Sequence, residues 1–486
     1  MDDMAAANTE DATDVHVAVP VERASKSPMA SIVSVKDLPL AKVWAFAIGQ
    51  FGWALLSGII SNWLVYFYQP DQETIAQGQT VFVPQGLVVL GLVTVVGGIT
   101  AFARFFDAFV DPAVASLSDR CNAKSGRRMP FLKFASLPLA VVTVLVFWSP
   151  INDISWANAA FLFVTVIGYY MALTFYCTPY NALIAELGHD SKQQLTISTA
   201  ISFMWVAGTA VAYVAPVIWG AFVPMMGRIT AIRVTFTIMA AVAFVCMLVP
   251  PLVIREKDYV NSQPTSESTI ESLKQTFGDG EFRKFVCSDV VYWVAITTFQ
   301  TGLPFFVTSL LKLPETTTTI YFVLMTGVSV LFYLPVNILA NRVGKKRLLL
   351  VAFVIFTCAF AFAGALGSGV LAFMPPMAQG LVLSVVGAIP MAAFGILPQA
   401  IVANIADASS RVTGQDRQGM FYAARTFAMK MGQSVAMLLF TGVSTIGMAS
   451  GAGYRIAAVC AAVLCGLGGI VFAFYNEKKV LRVLEA

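Results

Sequence analysis

Three charged residues interrupt an otherwise apolar stretch, RFFDAFVDP at 104–112. Asp107 and Asp111 are four residues apart, so in a helix both carboxylates project from one face, and Arg104 lies one turn earlier on nearly the same face. A charge near the middle of a bilayer costs roughly 2.5–3.5 kcal/mol on insertion scales. If this stretch spans a membrane, a structural partner, a substrate or an ion must offset that cost.

Paired carboxylates at this spacing indicate a cation site. Asp107 and Asp111 could hold a small hard ion such as Na⁺ through their oxygens, and only in that case would they be metal ligands. Alternatively, mutual repulsion and loss of water would keep a proton on one of them. In both cases the site changes charge when it loads, which lets occupancy bias a conformational equilibrium. The competing interpretation is structural: Arg104 neutralises one acid, and the cluster holds helices together.

Two basic residues, Arg425 and Lys430, lie in a later apolar stretch. Neither residue can face lipid without cost, so both are expected to point into the protein. The favoured hypothesis is that Lys430 partners the two aspartates across the interior. The alternative is a structural pairing with Asp407 or with a carbonyl at a helix end.

The elements that must position these residues are predicted from hydrophobicity. Of the 486 residues, 58% are hydrophobic and 12% are charged, whereas about a quarter of the residues in soluble domains are charged. A bilayer core of about 30 Å requires about 20 apolar residues in a helix. The chain contains twelve such stretches, at 42–68, 86–117, 131–150, 157–185, 196–223, 232–254, 284–311, 317–340, 348–371, 377–405, 419–446 and 453–475. The predicted fold class is an all-α membrane protein with twelve transmembrane helices in two six-helix bundles.

A long polar segment after the sixth span divides the chain into two halves. The predicted regions are a disordered cytoplasmic tail 1–37, a first bundle 38–254, a cytoplasmic middle loop 255–283, a second bundle 284–476 and a cytoplasmic tail 477–486. A basic turn with glycine follows the second span of each half, SDRCNAKSGRR and NRVGKKR, which indicates internal duplication. Lysine and arginine concentrate on one set of loops, so both termini are expected in the cytoplasm, with the chain in the plasma membrane.

Several classes of function are disfavoured. The net charge of +4 is small and indicates no nucleic-acid partner. The seven cysteines show no CxxC pair or metal-ligand spacing, which disfavours disulfide and zinc frameworks. The sequence has no nucleotide-binding loop and no nucleophile–histidine arrangement, so neither an enzyme nor a cofactor other than a coupling cation is expected.

Four segments in both halves resemble the glycoside–pentoside–hexuronide:cation symporter family. They are GQFGWALLSGIISNWLVYFY at 49–68, ARFFDAFVDPAVASLSDRCNAKSGRRMPFL from residue 103, TFYCTPYNALIAEL at 174–187 and ANIADASSRVTGQDRQGMFYAARTFAMKMGQS at 403–434. The resemblance implies the major facilitator fold, with alternating access between two bundles. It also implies coupling of a small, sugar-like solute to Na⁺ or H⁺.

Carried over by position, the family's cation ligands are Asp107, Asp111 and the Thr174 hydroxyl, with Arg104 and Lys430 in coupling roles. Two departures follow from the same alignment. Val110 replaces an asparagine ligand before the second aspartate, which leaves Na⁺ and H⁺ both open. The family's sugar-binding acids in spans one and four are replaced by Ala54 and Cys177, so the sugar site is rebuilt in this chain.

Candidate substrate contacts are polar or aromatic residues of the spans: Trp53, Tyr180, Asn181, Gln300, Gln399 and Thr426. The predicted function is cation-coupled symport of a glycoside or other sugar-like solute by a chain that works as a monomer in the lipid bilayer. Two alternatives remain open, a lysolipid or amphiphile symporter of the same fold and a drug:H⁺ antiporter.

Overall fold

The computed structural model describes residues 37–485, apart from residues 90, 92, 122, 124, 189–190, 261–274, 414–417 and 448–449. The predicted tail 1–37 lies outside the described residues except for its last residue. Half of the predicted middle loop, 261–274, lies outside them as well.

The described chain contains twelve long helices, the number that hydrophobicity predicts. They are α1 Leu40–Tyr68, α2 Val95–Arg120, α3 Met129–Val146, α4 Trp156–Leu187, α5 Ser191–Met226, α6 Arg228–Val253, α7 Gly280–Phe305, α8 Thr317–Val343, α9 Lys345–Ala365, α10 Pro376–Thr413, α11 Gln418–Val443 and α12 Ala452–Ala473. Ten of these described helices are long and apolar enough to cross a membrane. The other two are α2 and α11, which carry the charged residues of the candidate site.

Several helices begin a few residues away from the predicted positions, and capping explains the shifts of α2 and α7. α2 begins at Val95 rather than near residue 86, because Gly86 and Gly91 adopt φ of 83° and 69° and the Thr94 hydroxyl accepts a hydrogen bond from the N–H of Gly97 at 3.0 Å. α7 begins at Gly280 rather than 284, because the Asp279 carboxylate caps the first turn.

The helices form two bundles of six. In the first bundle α1 packs on α5 and α6, and α4 packs on α2 and α3; in the second, α12 packs on α7 and α9, and α10 packs on α8 and α9. Small residues allow close approach, since a Cβ added at Gly58 of α1 would lie 2.6 Å from the Ala212 Cβ of α5. The bundles meet through α2 with α11, α5 with α8 and α1 with α7. The predicted fold class is confirmed.

The molecule has two ends, which we call the terminal face and the opposite face. The terminal face carries the start of α1 at Leu40 and the end of α12 at Ala473, and the opposite face carries the end of α1 at Tyr68 and the start of α2. Asp107, Asp111 and Lys430 lie near the middle of α2 and α11, between the two faces.

The terminal face shows the internal duplication in three dimensions. The Glu256 carboxylate, after α6, accepts hydrogen bonds from the backbone N–H groups of Arg127, Arg128 and Met129 at 2.8–2.9 Å. In the second half the Glu477 carboxylate, after α12, accepts from the N–H groups at the start of α9, at 3.0 and 3.1 Å. Each half therefore places a carboxylate at the amino end of its third helix, where the helix dipole favours negative charge.

Candidate cation site at the bundle interface

Helix α2 presents both aspartates toward the second bundle. The four-residue spacing stacks Asp107 over Asp111, and Pro112 lies within the helix directly after them. The Asp107 side chain is only 2% exposed, whereas the Asp111 side chain is 25% exposed. The site therefore has one enclosed carboxylate and one that is partly exposed.

Lys430 of α11 lies between the two carboxylates. Its Nζ is 2.8 Å from Asp107 Oδ2 and 2.5 Å from Asp111 Oδ2. The favoured interpretation of Lys430 from the sequence thus corresponds to the observed contact, and the alternative pairing with Asp407 does not describe it. Two carboxylates and one ammonium leave one net negative charge at the junction of the bundles.

Two hydroxyls of α4 complete the set of oxygens. The Thr174 hydroxyl donates a hydrogen bond to Asp107 Oδ1, and the Thr178 hydroxyl, one turn later, donates to Asp111 Oδ1 at 3.3 Å. Carboxylate and hydroxyl oxygens are suitable donors for a small hard cation. The same carboxylates can accept a proton, so the geometry accommodates both candidate ions.

Arg104 does not neutralise either aspartate by direct contact. Its guanidinium donates to Gln433 Oε1 at 2.9 Å and to Ser61 Oγ at 3.3 Å, and it lies over the Tyr170 ring at 5.0 Å. The structural interpretation of the cluster, in which Arg104 pairs with one acid, therefore does not describe the observed contacts. Arg104 instead connects α1, α2, α4 and α11 next to the site.

Arg425 forms an ion pair with a different acid, Asp289. Its Nε is 2.9 Å from Asp289 Oδ2 and its Nη2 is 3.1 Å from Asp289 Oδ1, which is a bidentate pair inside the second bundle. The sequence predicted only that Arg425 points into the protein, and its partner Asp289 was not anticipated.

The candidate substrate residues fall into three groups. Asn181 is exposed and follows Thr174 and Thr178 on one face of α4. Thr426 and Gln399 are exposed on α11 and α10, and the Tyr422 hydroxyl between them donates to the Gln399 carbonyl at 3.3 Å.

Two further candidates lie deeper. Trp53 is half-buried on α1, and its indole N–H is buried without a hydrogen-bond partner among the described residues. Gln300 is half-buried on α7.

Tyr180 is not brought to the site. Its side chain is fully buried, its hydroxyl donates to the Phe46 carbonyl at 2.8 Å, and its ring stacks on Phe46 at 4.4 Å between centroids. A tyrosine whose hydroxyl is satisfied inside the first bundle is part of the core in this structure. The expectation that Tyr180 contacts substrate stays a prediction, and in this conformation its hydroxyl is occupied within the first bundle.

Sequence reasoning missed three residues of this region. Thr178 repeats the position of Thr174 one helical turn later, and that spacing was the available signal. Asp289 lies in the apolar run of α7, where any acid needs a partner. Gln433 gave no signal, because a neutral amide is ordinary at a helix interface.

Comparison with known proteins places the chain among transporters. The family described as MFS/sugar transport protein matches residues 45–476. The chain is 23% identical over 425 residues to the uncharacterized symporter YjmB of Bacillus subtilis (strain 168), covering 86% of each chain.

Two further relatives match over shorter segments. The uncharacterized symporter YnaJ of Bacillus subtilis (strain 168) is 25% identical over 189 residues, which is 38% of this chain and 36% of that relative. The isoprimeverose transporter of Lactiplantibacillus pentosus is 23% identical over 183 residues, 37% of this chain and 34% of that protein. The chain thus matches about a third of the length of these two relatives.

The structure is also similar to a solved transporter. The crystal structure of the nucleoside transporter NupG superposes with a TM-score of 0.61 at 14% identity, covering 90% of this chain and all of that one. At this identity the likeness shows the fold, which is the twelve-helix fold of a multi-pass membrane protein. The sequence relatives confirm the resemblance inferred from the motifs, and the chain belongs to the MFS/sugar transport protein family.

Proposed function

We propose that the protein is a secondary active transporter that couples a cation, Na⁺ or H⁺, to the uptake of a small solute by alternating access. The observation that carries this proposal is the contact of Lys430 in the second bundle with Asp107 and Asp111 in the first. A buried ion pair between two bodies that must rock against each other has to break and reform in each cycle. While Lys430 is separated from Asp107 and Asp111, an exchangeable cation can take the place of its ammonium group.

The charge of the site supports coupling. With Lys430 in place the site carries one net negative charge, so binding a single cation neutralises it. Neutralising a buried charge lowers the cost of reorienting the site across the membrane. Each charge that moves with the cycle also gains about 2.3 kcal/mol per 100 mV of membrane potential.

The residues present fit both candidate ions. Na⁺ would be held by Asp107 and Asp111, with the hydroxyls of Thr174 and Thr178 as neutral ligands. H⁺ would be held by the Asp111 carboxylate, because its side chain is accessible to water and the Asp107 side chain is not. Val110 adds no ligand in either case.

A sugar-like solute is the proposed substrate class. One relative is named as an isoprimeverose transporter, and two exposed polar side chains, Asn181 and Thr426, lie one helical turn from residues of the site. The unsatisfied indole N–H of Trp53 and the exposed side chains of Asn181 and Thr426 are the best candidates to bind hydroxyl groups. Ala54 packs next to Gly208 of α5 and adds no polar group, so recognition must use these other residues.

The orientation follows from the basic residues. The terminal face carries Arg127, Arg128, Lys345 and Lys346, so we place it in the cytoplasm, with both termini, and the chain in the plasma membrane. In this orientation Asn181 and Thr426 are exposed toward the cytoplasmic side. The proposed activity is transport by a monomer, without covalent chemistry or a further cofactor.

The test is solute uptake into proteoliposomes under imposed Na⁺ and H⁺ gradients, with labelled glycosides and lysolipids offered in parallel. Asp107→Asn and Asp111→Asn are expected to abolish accumulation against a gradient while the folded protein is retained. Asp119→Asn is the matched control, because Asp119 lies on the same helix but pairs with Arg128 at the terminal face.

Three results would contradict the proposal. Normal accumulation with unchanged cation dependence in either aspartate variant would remove the coupling site. Saturable lysolipid uptake without glycoside uptake would overturn the solute class. Stimulation by an opposed rather than a parallel cation gradient would indicate a drug:H⁺ antiporter.

A further inference from the structure

A glutamate of the second bundle is buried in the first bundle at the opposite face. Glu315 lies in the loop that joins α7 to α8, and its carboxylate accepts hydrogen bonds from the Tyr66 hydroxyl at 3.0 Å and the Trp219 indole N–H at 2.5 Å. Arg228 faces the same carboxylate with two nitrogens, at 3.1 and 2.6 Å. All three donors belong to the first bundle, so one carboxylate ties the two bundles together.

The first bundle holds this pocket in place through contacts of its own. Arg228 also donates from Nε to Gln79 Oε1 at 3.2 Å, and the Tyr66 hydroxyl accepts from the Thr74 hydroxyl at 3.0 Å. The donors are therefore fixed before Glu315 arrives. Withdrawal of Glu315 while the pocket stays closed would leave a buried arginine without its counter-ion, which is strongly unfavourable.

A second ion pair joins the bundles at the same face, and it differs in exposure. Lys312 and Glu73 form an ion pair whose side chains are 58% and 44% exposed. Water and salt screen such a pair, so it contributes little. Of the two ion pairs, the buried pair of Glu315 and Arg228, with side chains 9% and 5% exposed, is therefore the one whose loss should weaken closure of this face more.

The segment that carries Glu315 is irregular in a way that suits movement. α7 continues into a π-helical turn over Phe306–Leu310, and Lys312 has φ of 55°, the only positive φ of a non-glycine residue in the described chain. The Asp71 carboxylate of the first bundle accepts hydrogen bonds from the hydroxyls of Thr308, at 2.6 Å, and of Ser309 within this turn. This irregular turn lies next to the buried ion pair, which makes it the candidate hinge for opening of this face.

We propose that Glu315 is the positioning residue that latches the opposite face, and that its withdrawal from the pocket of Tyr66, Trp219 and Arg228 opens this face during transport. The proposal rests on the proposed alternating access, but not on the identity of the substrate or the ion. Loss of the latch shifts the population from the state open at the terminal face to the state open at the opposite face.

Two reporter cysteines distinguish these states without any solute. Ser434 of α11 is buried on the opposite-face side of Lys430, where its hydroxyl donates to the Ala101 carbonyl at 2.7 Å, and Thr426 is exposed in the half of α11 nearer the terminal face. The full chain carrying Ser434→Cys or Thr426→Cys is placed in nanodiscs, where both faces are accessible. Each reporter is labelled with a water-soluble maleimide. The labelling rate of the same chain without the added cysteine, which reports the native cysteines, is subtracted.

Glu315→Gln is expected to raise the labelling rate of the Ser434→Cys reporter at least about tenfold, since the ratio of the two states responds exponentially to a lost contact. Labelling of the Thr426→Cys reporter should fall in the same variant. Glu73→Gln is the matched control, and it should change both rates less than about twofold, as expected of an exposed pair.

Unchanged rates in Glu315→Gln would overturn the latch. Increased labelling at both reporters would also overturn it, because a loosened fold exposes both sites whereas a released latch exposes one and hides the other. If Glu315→Gln does not fold, Glu315→Asp, which keeps the charge but shortens the reach, is measured with the same two criteria. Solute uptake is not part of this experiment, so failure of the latch and failure of the proposed transport are distinguishable.

Discussion

Arg425 and Lys430 lie five residues apart on α11, and their partners differ in number and location. Arg425 binds a single carboxylate, Asp289, with two nitrogens, and both residues belong to the second bundle. Lys430 lies between two carboxylates, Asp107 and Asp111, and both belong to the first bundle.

Under the proposed function, this difference distinguishes a structural charge pair from a coupling one. The pair of Arg425 and Asp289 is balanced and lies inside one rigid body, so nothing in an alternating-access cycle requires it to part. The cluster at Lys430 has one carboxylate in excess, crosses the interface between two moving bodies and includes an acid that is 25% exposed. The pair and the cluster each include a buried aspartate, so burial does not distinguish them; the excess carboxylate and the position between the two bundles do.

The largest effect on stability is expected from Asp289→Asn. Removing one member of a buried bidentate pair leaves Arg425 uncompensated, which costs about 3–5 kcal/mol. Thermal unfolding of the purified protein should occur at a clearly lower temperature than for Asp119→Asn, while cation coupling in the remaining folded molecules is unchanged. Unfolding at the control temperature would show that the Arg425 pair is not a structural element.

Lys430→Met is expected to act mainly on transport, because a cation or a proton at Asp107 and Asp111 can replace the lost ammonium in the folded state, whereas Arg425 has no such substitute for Asp289. The variant keeps side-chain volume but removes the ammonium that links the bundles. The initial rate of cation-driven uptake should fall at least about hundredfold, which corresponds to about 2.7 kcal/mol at 1.36 kcal/mol per tenfold change. Accumulation of solute above its external concentration in this variant would reduce Lys430 to a structural role.

The two threonines of α4 sharpen the comparison within the site. Thr174 donates to the enclosed Asp107, whereas Thr178 donates at 3.3 Å to the more exposed Asp111. A hydrogen bond to a charged group contributes about 1.5–3 kcal/mol, so Thr174→Val should raise the half-saturating cation concentration about tenfold or more. Thr178→Val should have a smaller effect, and equal effects would argue that both carboxylates are equally accessible.

The smallest effects on the free energy of unfolding are expected from substitutions at the terminal face. Glu256 accepts three backbone N–H groups at 2.8–2.9 Å, whereas Glu477 accepts two at 3.0 and 3.1 Å. Glu256→Gln should therefore lower the free energy of unfolding by about 1–2 kcal/mol, and Glu477→Gln by about 1 kcal/mol or less. Thermal unfolding of both variants measures these losses. A larger loss of stability in Glu477→Gln than in Glu256→Gln would contradict the inference that Glu256 makes the stronger contact.

The fold was predictable because it is determined mainly by the lengths of the apolar stretches, which can be read directly from the sequence. Twelve apolar stretches gave twelve helices, and the largest error, at the start of α2, arose from glycines whose positive φ ended an apolar run that hydrophobicity alone extends. The internal repeat was visible as two basic turns. Its structural counterpart, the pairing of Glu256 and Glu477 with helix amino ends, requires contacts over more than a hundred residues and was not.

The candidate site was predictable in part for a similar reason. A charged residue in an apolar helix is conspicuous because its burial is costly, and this cost singled out Asp107, Asp111 and Lys430. Which partner satisfies each charge depends on helix packing, so Asp289 was missed as the partner of Arg425, and Tyr180 was placed at the site although its hydroxyl is used in the core. Neutral partners such as Gln433 and Ser61 carry no such cost and left no signal.

Equilibrium cation binding to the purified chain tests most directly whether Asp107 and Asp111 exchange Lys430 for an ion. Binding of labelled Na⁺ and uptake of protons on a pH step would be measured for the wild type, Asp111→Asn and the Asp119→Asn control. We predict one bound cation per chain in the wild type and the control, and none at this site in Asp111→Asn. Full binding in Asp111→Asn would show that the ion binds elsewhere, and the coupling assignment would fail.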